Sequence, residues 1–154
     1  MTFQLEEEHI AEILHIDNSY EWYSAMKEMF SKYEINTPNR VAGFLAQTGH
    51  ESAMYKTITE NLNYSSKALD AIFGKYFKRA GVDAKEYHRQ PEKIANRIYA
   101  NRMDNGDTAS GDGWRFRGGG ILQLTGRYNY TEFGKTVWMW VEEAIDYVKT
   151  KKGA

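Results

Sequence analysis

The first 51 residues place apolar side chains three to four positions apart, which is the spacing that gives a helix one apolar face. This pattern predicts a helix over residues 5–16, in the stretch LEEEHIAEILHI. Ser19 is predicted to cap a second helix that runs through Tyr20, Tyr23, Met26 and Phe30. Thr37 and Pro38 form a favourable cap and first turn for a third helix.

Three later stretches are also predicted to be helical. Ser65 or Ser66 is expected to cap a helix that ends at Gly81, because Gly is common just after a helix C-terminus. The stretch over residues 91–103 starts with proline, which fits the first turn of a helix. Residues 141–152, VEEAIDYVKTKK, are amphipathic and are expected to close the chain as a helix.

A different pattern follows the third helix. In KTITENLNY, residues 56–64, the side chains alternate, so that Ile58, Glu60, Leu62 and Tyr64 share one side. This alternation predicts a short strand or an extended ribbon. An extended segment permits the carboxylate of Glu60 to turn back toward the third helix, whereas a continued helix would direct it away.

The third helix carries a carboxylate on its apolar stripe. At about 100° per residue, Glu51 falls on the same face as Phe44, Thr48 and Tyr55. Burial of a carboxylate favours its protonated form, which is the form that a general acid needs near neutral pH. The alternative is that Glu51 lies at the edge of the stripe, where it meets solvent or pairs with Arg or Lys.

Composition is that of one globular domain. The chain has 154 residues with no repeat or linker, so a single domain over 1–154 is expected. Cysteine is absent, which excludes disulfides and Cys-based zinc sites or nucleophiles. The longest apolar run, VWMWV, is too short to span a bilayer, and the acidic N-terminus is unlike a signal peptide. We therefore expect synthesis in a cytoplasm without a signal peptide, and no membrane insertion.

The charge is nearly balanced overall but uneven along the chain. Residues 1–34 carry 2 basic and 8 acidic side chains, which leaves 18 basic and 13 acidic for residues 35–154. A solvent-exposed acidic helical face explains the negative charge of the first segment. The positive charge of the remainder favours binding to an anionic polymer, either cell wall or nucleic acid. The net charge of −1 argues against a nucleic-acid surface.

Most catalytic motifs are absent. HES at residues 50–52 lacks the second His of HExxH, because residue 54 is Met, and no P-loop Lys follows the glycines at 118–120. A Ser-His-Asp triad stays open on residue counts, but no G-x-S-x-G elbow occurs. The aspartates in residues 104–113 lack calcium-loop spacing, so no metal site is predicted. Paired carboxylates remain, and they suit glycoside hydrolysis, where one protonates the leaving oxygen and the other activates water or attacks carbon.

Arginines and aromatic residues interleave in WRFRGGGILQLTGRYNY, residues 114–130. Such a pattern suits stacking on nucleic-acid bases, which the net charge disfavours. Three consecutive glycines let the backbone approach another backbone or a ligand closely. Gln123, Thr125 and Asn129 are able to bind sugar hydroxyls and amides, or alternatively to satisfy local backbone groups.

Two stretches carry a family likeness: GFLAQTGHESAMYKTITENLNYS and KIANRIYANRMDNGDTASGDGWRFRGGGILQLTGRYNY. Together they resemble the catalytic region of glycoside hydrolase family 19, the chitinase-like group that includes many phage endolysins. The resemblance is strongest over residues 40–134. It implies a lysozyme-like fold of the mainly α (α+β) class, with a small β element beside the catalytic cleft. It also implies an inverting attack on the β-1,4 bonds of an N-acetylated sugar polymer, without a cofactor.

The resemblance also implies roles for single residues. Glu51 corresponds to the general acid of the family and is expected to be kept protonated in an apolar setting. Glu60 best resembles the general base of the endolysin branch, although plant-type members place their base in a different loop. Thr125 matches the hydroxyl residue that helps to hold the attacking water. Five further residues match substrate contacts or their neighbours, namely Gln123, Asn129, His50, Tyr64 and Arg117.

The chain departs from the family pattern in three places. Gly119 stands where relatives often have Arg. Family domains usually continue through further helices, so the C-terminal part of the domain is expected to be missing from this chain. Trp138 and Trp140 flank a position where a polar turn is expected. They are predicted either to plug the core where further helices would pack or to form an exposed patch that pairs chains.

These observations together predict a cell-wall hydrolase that acts on the cell wall or in the periplasm, as a phage endolysin or a tail-associated lysin does. Peptidoglycan is the expected substrate, and chitin stays open because both polymers contain N-acetylglucosamine. The alternative is a glycan-binding or structural phage protein that is catalytically inactive or is completed by a partner.

Overall fold

Helices make up most of the regular structure in residues 4–154, the part of the chain that the computed structural model describes. The α-helices are α1 Glu7–Leu14, α2 Ser19–Lys32, α3 Pro38–Glu51, α4 Ser66–Ile72, α5 Pro91–Ile98, α6 Asp112–Arg115, α7 Arg127–Thr136 and α8 Val141–Tyr147. Two short 3-10 helices cover Lys78–Ala80 and Ala84–Tyr87. Within residues 4–154, strand is limited to isolated bridge positions at Thr59, Gly119 and Leu124. The mainly α class is confirmed, and the architecture is consistent with a lysozyme-like fold.

The chain forms two compact units that interleave along the sequence. The first unit contains the described residues up to Ile58, together with residues 119–123 and 146–154. The second unit contains residues 59–118 and 124–145. Within residues 4–154, no helix combines the length and apolar character that a membrane span requires.

The first unit is built on helices α1, α2 and α3. Their apolar stripes meet in one core, in which the Trp22 and Tyr55 rings pack edge to face with centroids 4.8 Å apart. Its buried members are Ile10, Leu14, Trp22, Met26, Phe30, Val41, Leu45, Tyr55 and Ile121. The spacing of these residues along each helix is the predicted amphipathic pattern.

Of two predicted helix starts in the first unit, that of α3 agrees with the structure and that of α2 differs from it. The Thr37 side chain accepts a hydrogen bond from the backbone N–H of Arg40, and Pro38 is the first helical residue, so the predicted start of α3 is confirmed. Ser19 is the first helical residue of α2, not its cap, because its hydroxyl donates to Glu7 instead. That bond ties α2 to α1.

The second unit has its own core around α4 and α5. The buried residues are Leu62, Leu69, Phe77, Ala84, Tyr87, Ile94, Ala95 and Ile98. The Phe77 and Tyr87 rings pack edge to face, with centroids 5.1 Å apart. Ser65 caps α4 by accepting from the backbone N–H of Ala68, and Pro91 begins α5, as predicted.

Four helices end earlier than the sequence pattern predicts. Helix α1 ends at Leu14, α4 at Ile72, α5 at Ile98 and α8 at Tyr147. The backbone at Gly74, just after α4, lies so close to Asp70 that a Cβ there would be 2.6 Å from its carbonyl oxygen. Gly81 follows a separate 3-10 helix. The amphipathic pattern therefore predicts the starts of these helices better than their ends.

The segment after α3 is extended, as the alternation predicts. Leu62 is buried, and Ile58, Glu60 and Tyr64 are partly buried. On the other side of the segment, Thr57, Asn61 and Asn63 are exposed, and Thr59 is partly buried. The segment does not form a regular strand, since only Thr59 lies in a bridge. This extended geometry determines where the carboxylate of Glu60 lies.

Candidate active site

Glu60 is the best supported of the predicted site residues in the second unit. Its carboxylate is partly buried, and each oxygen accepts one hydrogen bond. The Tyr99 hydroxyl donates to one oxygen at 2.8 Å, and the backbone N–H of Gly118 donates to the other at 3.1 Å. The backbone N–H of Glu60 donates to the Gly118 carbonyl at 2.8 Å, so main chain and side chain are both fixed. The carboxylate is therefore held in one orientation.

Tyr99 is the C-cap residue of α5, and its hydroxyl is a stable donor. Burial raises the pKa of Tyr99, and the hydrogen bond to the nearby Glu60 carboxylate raises it further. The phenol is therefore protonated throughout the neutral range. The Tyr99 carbonyl accepts from the Asn105 side chain at 3.0 Å, which satisfies one of the free carbonyls at the helix end.

A buried ion pair supports this region. The Arg127 guanidinium donates to both oxygens of Asp112, at 2.5 and 3.2 Å, and the backbone N–H of Gly106 donates to the same carboxylate at 2.8 Å. Burial alone would raise the pKa of Asp112, but the bonds from Arg127 and Gly106 outweigh it and hold that pKa below its usual value. The backbone N–H of Arg127 also donates to the side chain of Asn105, which links the ion pair to Tyr99.

Arg117, a predicted site residue, lies flat on an aromatic ring. Its guanidinium carbon is 3.7 Å from the centroid of the Trp114 ring, and one of its terminal nitrogens donates to the Trp114 carbonyl. Burial lowers the pKa of Arg117, and its Nε atom is buried with no hydrogen-bond partner among the residues described. The Tyr130 hydroxyl donates to the Arg117 carbonyl at 3.1 Å.

The polar residues of the stretch QLTGRYN make local contacts. The Asn129 side chain donates to the Thr125 carbonyl at 2.8 Å, and the Gln123 side chain donates to the Gly120 carbonyl at 3.1 Å. All three predicted side chains are partly buried. Between them, Gly126 has a φ of 92° and lies so close to Met103 that a Cβ would be 2.4 Å from that side chain. A glycine is therefore required where α7 begins.

The predicted apolar setting of Glu51 is wrong. Glu51 is the last residue of α3 and its side chain is exposed, where it accepts a hydrogen bond from the Gln47 side chain at 2.9 Å. The helix does not continue the stripe beyond this residue, and Tyr55 turns back to fill the buried position instead. The alternative that Glu51 lies at the solvent edge of the stripe is therefore the correct one. His50 is also exposed.

The turn after Glu51 is an unusual feature of the first unit. Ala53, Met54 and Tyr55 have φ values of 51°, 60° and 61°, which non-glycine residues rarely adopt. The buried hydroxyl of Ser52 stabilises this turn by donating to the Thr48 carbonyl and accepting from the backbone N–H of Tyr55. Strained backbone of this kind clusters at functional sites.

The two predicted carboxylates belong to different units, Glu51 to the first and Glu60 to the second. In the second unit, the structure brings Glu60 together with Gly118, next to the predicted residue Arg117. Tyr64 contacts the Phe73 ring, with centroids 5.3 Å apart, and lies on the same extended segment as Glu60.

Sequence reasoning missed Tyr99 and the ion pair of Asp112 and Arg127. Tyr99 lies 39 residues from Glu60, and no periodicity links two such positions. A cue was present, because Tyr99 follows the last buried residue of an amphipathic helix, where a long polar-tipped side chain is able to reach a neighbouring segment. Within residues 4–154, no group of three or more His, Asp or Glu side chains is placed to hold a metal ion.

Comparison with known proteins gives one informative match. The chain is 50% identical over 113 residues to a protein of Haemophilus influenzae (strain ATCC 51907 / DSM 11121 / KW20 / Rd) named glycosyl hydrolase family 19 domain-containing protein. The match covers 73% of this chain and 56% of that protein, so the chain spans about half the length of its curated relative. No protein-family model matches the chain. The similarity supports the resemblance to glycoside hydrolase family 19 that the motifs predict.

Proposed function

We propose that this chain is a glycoside hydrolase of family 19 that cleaves the β-1,4 bonds of N-acetylated sugar polymers, with peptidoglycan as its substrate. The observation that carries the proposal is the Glu60 carboxylate, held by two donors within a region that resembles the family. An oriented, partly buried carboxylate suits a general base. The 50% identity to a protein with a family 19 domain supports the reaction class.

The proposed reaction uses two carboxylic residues in different roles. Glu51, in its protonated form, donates to the glycosidic oxygen as that oxygen leaves. The ionised carboxylate of Glu60 takes a proton from a water molecule, which attacks the anomeric carbon with inversion. Thr125 is proposed to help to hold this water. Glu51 is exposed in the free protein, and we propose that the apolar faces of the bound glycan cover it.

The remaining predicted residues are proposed as substrate contacts. Arg117, stacked on the Trp114 ring, presents a partly desolvated cation for sugar amide and hydroxyl oxygens. Gln123, Asn129, His50 and Tyr64 are proposed to bind the N-acetyl groups and hydroxyls of the glycan. Polar side chains of these types fix the orientation of a ligand in its site.

Peptidoglycan and chitin are distinguished by a direct comparison of substrates. The purified chain is incubated with each polymer, and the release of reducing ends is measured. NMR then gives the anomeric form of the first product. We expect release from peptidoglycan, with an α-anomeric first product. A β-anomeric first product would contradict inversion, and release from chitin alone would contradict the substrate.

The endolysin branch of the family, within a bacteriophage lysis system, is the proposed biological setting. The enzyme would be made in the host cytoplasm and act on the wall from the periplasm. This proposal rests on the resemblance of the TENLNYS segment, which carries Glu60.

A glycan-binding or structural phage protein is the second candidate, and the exposure of Glu51 favours it. Glu51 lacks the apolar surroundings that a general acid needs, since its side chain is exposed and bonded to the side chain of Gln47. A protein of this kind would bind purified cell wall without releasing reducing ends. Measurement of binding and release on the same wall preparation separates the two candidates.

Exposed tryptophans predict self-association. Trp138 is 96% exposed and Trp140 is 80% exposed. The backbone between them is held by two hydrogen bonds: Met139 N–H donates to the Gly134 carbonyl, and Trp140 N–H donates to the Glu143 carboxylate. The rings therefore do not plug a core. We propose that they contact a second copy of the chain, since exposed apolar surface favours association.

Sedimentation velocity over a range of protein concentrations tests this proposal. We expect the sedimentation coefficient of the wild type to rise with concentration and that of Trp138→Ser/Trp140→Ser to stay at the monomer value. Tyr33→Ser is the control, because Tyr33 is also exposed but lies in another part of the chain. A wild type that stays monomeric at every concentration would remove the proposal.

A further inference from the structure

The Glu60 carboxylate has two fixed donors and two remaining acceptor positions. Each carboxylate oxygen carries two lone pairs, and Tyr99 and Gly118 each occupy one lone pair on a different oxygen. The remaining lone pairs are available to accept from water. A carboxylate bound at both oxygens cannot rotate about its last bond without breaking a hydrogen bond, so the direction of these lone pairs is set.

Both donors are themselves held in place. The Gly118 backbone is fixed because its carbonyl accepts from the backbone N–H of Glu60. Tyr99 ends α5, where Asn105 donates to its carbonyl, and Asn105 in turn accepts from the backbone N–H of Arg127. The Tyr99 ring is partly buried, which leaves its hydroxyl little choice of partner. The backbone of Tyr99 is therefore held by bonds that do not involve Glu60.

We propose that Tyr99 is a positioning residue for the reaction: with the backbone N–H of Gly118, its hydroxyl fixes the plane of the Glu60 carboxylate so that a free lone pair faces the attacking water. This inference rests on the proposed function, because it assigns Tyr99 a part in the same reaction. Tyr99 does not contact the reacting atoms. It acts through Glu60, whose carboxylate it holds in one orientation.

Removal of the hydroxyl isolates this role. In Tyr99→Phe we expect kcat to fall about 10- to 100-fold, the effect of losing one hydrogen bond to a charged group, with KM nearly unchanged. A purely structural role would lower the amount of folded protein but would leave kcat per folded molecule unchanged, so kcat is measured per folded molecule.

Tyr76→Phe is the matched control for this variant. Tyr76 is also partly buried in the second unit, and its hydroxyl makes one bond of similar length, 2.7 Å, with Arg102. Its loss should leave kcat and KM as they are in the wild type. Circular dichroism of all three proteins establishes that they are equally folded at the assay temperature.

A second measurement tests the hydrogen bond without any activity. The Tyr99 hydroxyl proton, assigned by its absence from the spectrum of Tyr99→Phe, should exchange slowly with water in the wild type. It should exchange fast in Glu60→Ala but remain slow in Glu86→Ala, which removes an exposed carboxylate of the same unit. Fast exchange in the wild type would overturn the bond and with it the inference.

The two measurements separate the possible failures. If the wild type is active and Tyr99→Phe keeps its kcat, the positioning role is overturned and the proposed function stands. If the hydroxyl proton is protected but the wild type releases no reducing ends, the proposed reaction is overturned and the role of Tyr99 in it falls as well. A lowered kcat with a nearly unchanged KM supports both.

Discussion

Replacement of Glu60 by glutamine is expected to lower the rate of glycan hydrolysis by about 10²- to 10⁴-fold, the usual contribution of a general base. The amide is close to the carboxylate in shape but does not take a proton from water. Its oxygen is able to accept from Gly118 N–H, and its NH₂ group is able to donate to the Tyr99 hydroxyl after that hydroxyl rotates. The local structure should therefore survive.

Reducing-end release and wall binding, measured on the same preparation, check this expectation. Glu60→Gln should bind purified peptidoglycan as the wild type does and release little. Glu86→Gln makes the same charge change at an exposed position of the same unit and should keep full activity. Full activity of folded Glu60→Gln would remove Glu60 from the reaction.

Loss of the carboxylate of Asp112 is expected to lower the free energy of unfolding by about 1–3 kcal/mol, because the backbone N–H of Gly106 and a partly exposed guanidinium lose their acceptor. The side chains of Asp112 and Arg127 are 7% and 35% exposed, and the pair also holds the backbone N–H of Gly106. Urea unfolding of Asp112→Ala beside the wild type measures the change. Asp146→Ala is the matched control, since it removes an ion pair with Lys149 in which the aspartate is 87% exposed.

The control should stay within about 0.5 kcal/mol of the wild type, as exposed ion pairs contribute little. An equal loss of stability in both variants would show that the buried pair has no special role. A loss below about 1 kcal/mol in Asp112→Ala would mean that water or a neighbouring group replaces the carboxylate.

The same pair gives the stability a pH dependence. The pKa of Asp112 is lowered in the folded state, so its contribution is fully present above the pKa of an unfolded aspartate, about 3.9. The contribution is lost as the pH falls from that value through the folded pKa. We therefore expect the stability difference between wild type and Asp112→Ala to shrink below about pH 4.

Much of the fold follows from local sequence signals. Thr37 and Pro38 start α3, Ser65 caps α4 and Pro91 starts α5, because each signal acts through bonds within one turn of helix. The alternating burial around Glu60 is also a local property, since side chains of an extended segment point to opposite sides.

Features that depend on distant residues could not be predicted in this way. The helical stripe places Glu51 with Tyr55 only if α3 continues, but the helix ends at Glu51 and a turn with three left-handed residues follows. Tyr55 then packs on Trp22, and Glu51 is left in solvent. No pattern in the sequence indicates that reversal, because none of residues 53–55 is glycine.

The candidate site also combines residues that local sequence indicates with residues that only the fold brings together. Glu60 could be singled out because its segment is extended and resembles a known family. Tyr99 and the pair of Asp112 and Arg127 support that region through contacts between segments 15 to 39 residues apart, which only the fold brings together.

The most direct test of the central claim is the release of reducing ends from purified peptidoglycan by the intact chain and by Glu51→Gln. Glu12→Gln serves as the control, because Glu12 is an exposed carboxylate on α1 of the same unit. Two-carboxylate hydrolysis predicts release by the wild type and by Glu12→Gln, and a loss of about 100-fold or more in folded Glu51→Gln. Binding without release by the wild type, or full activity of Glu51→Gln, would contradict it.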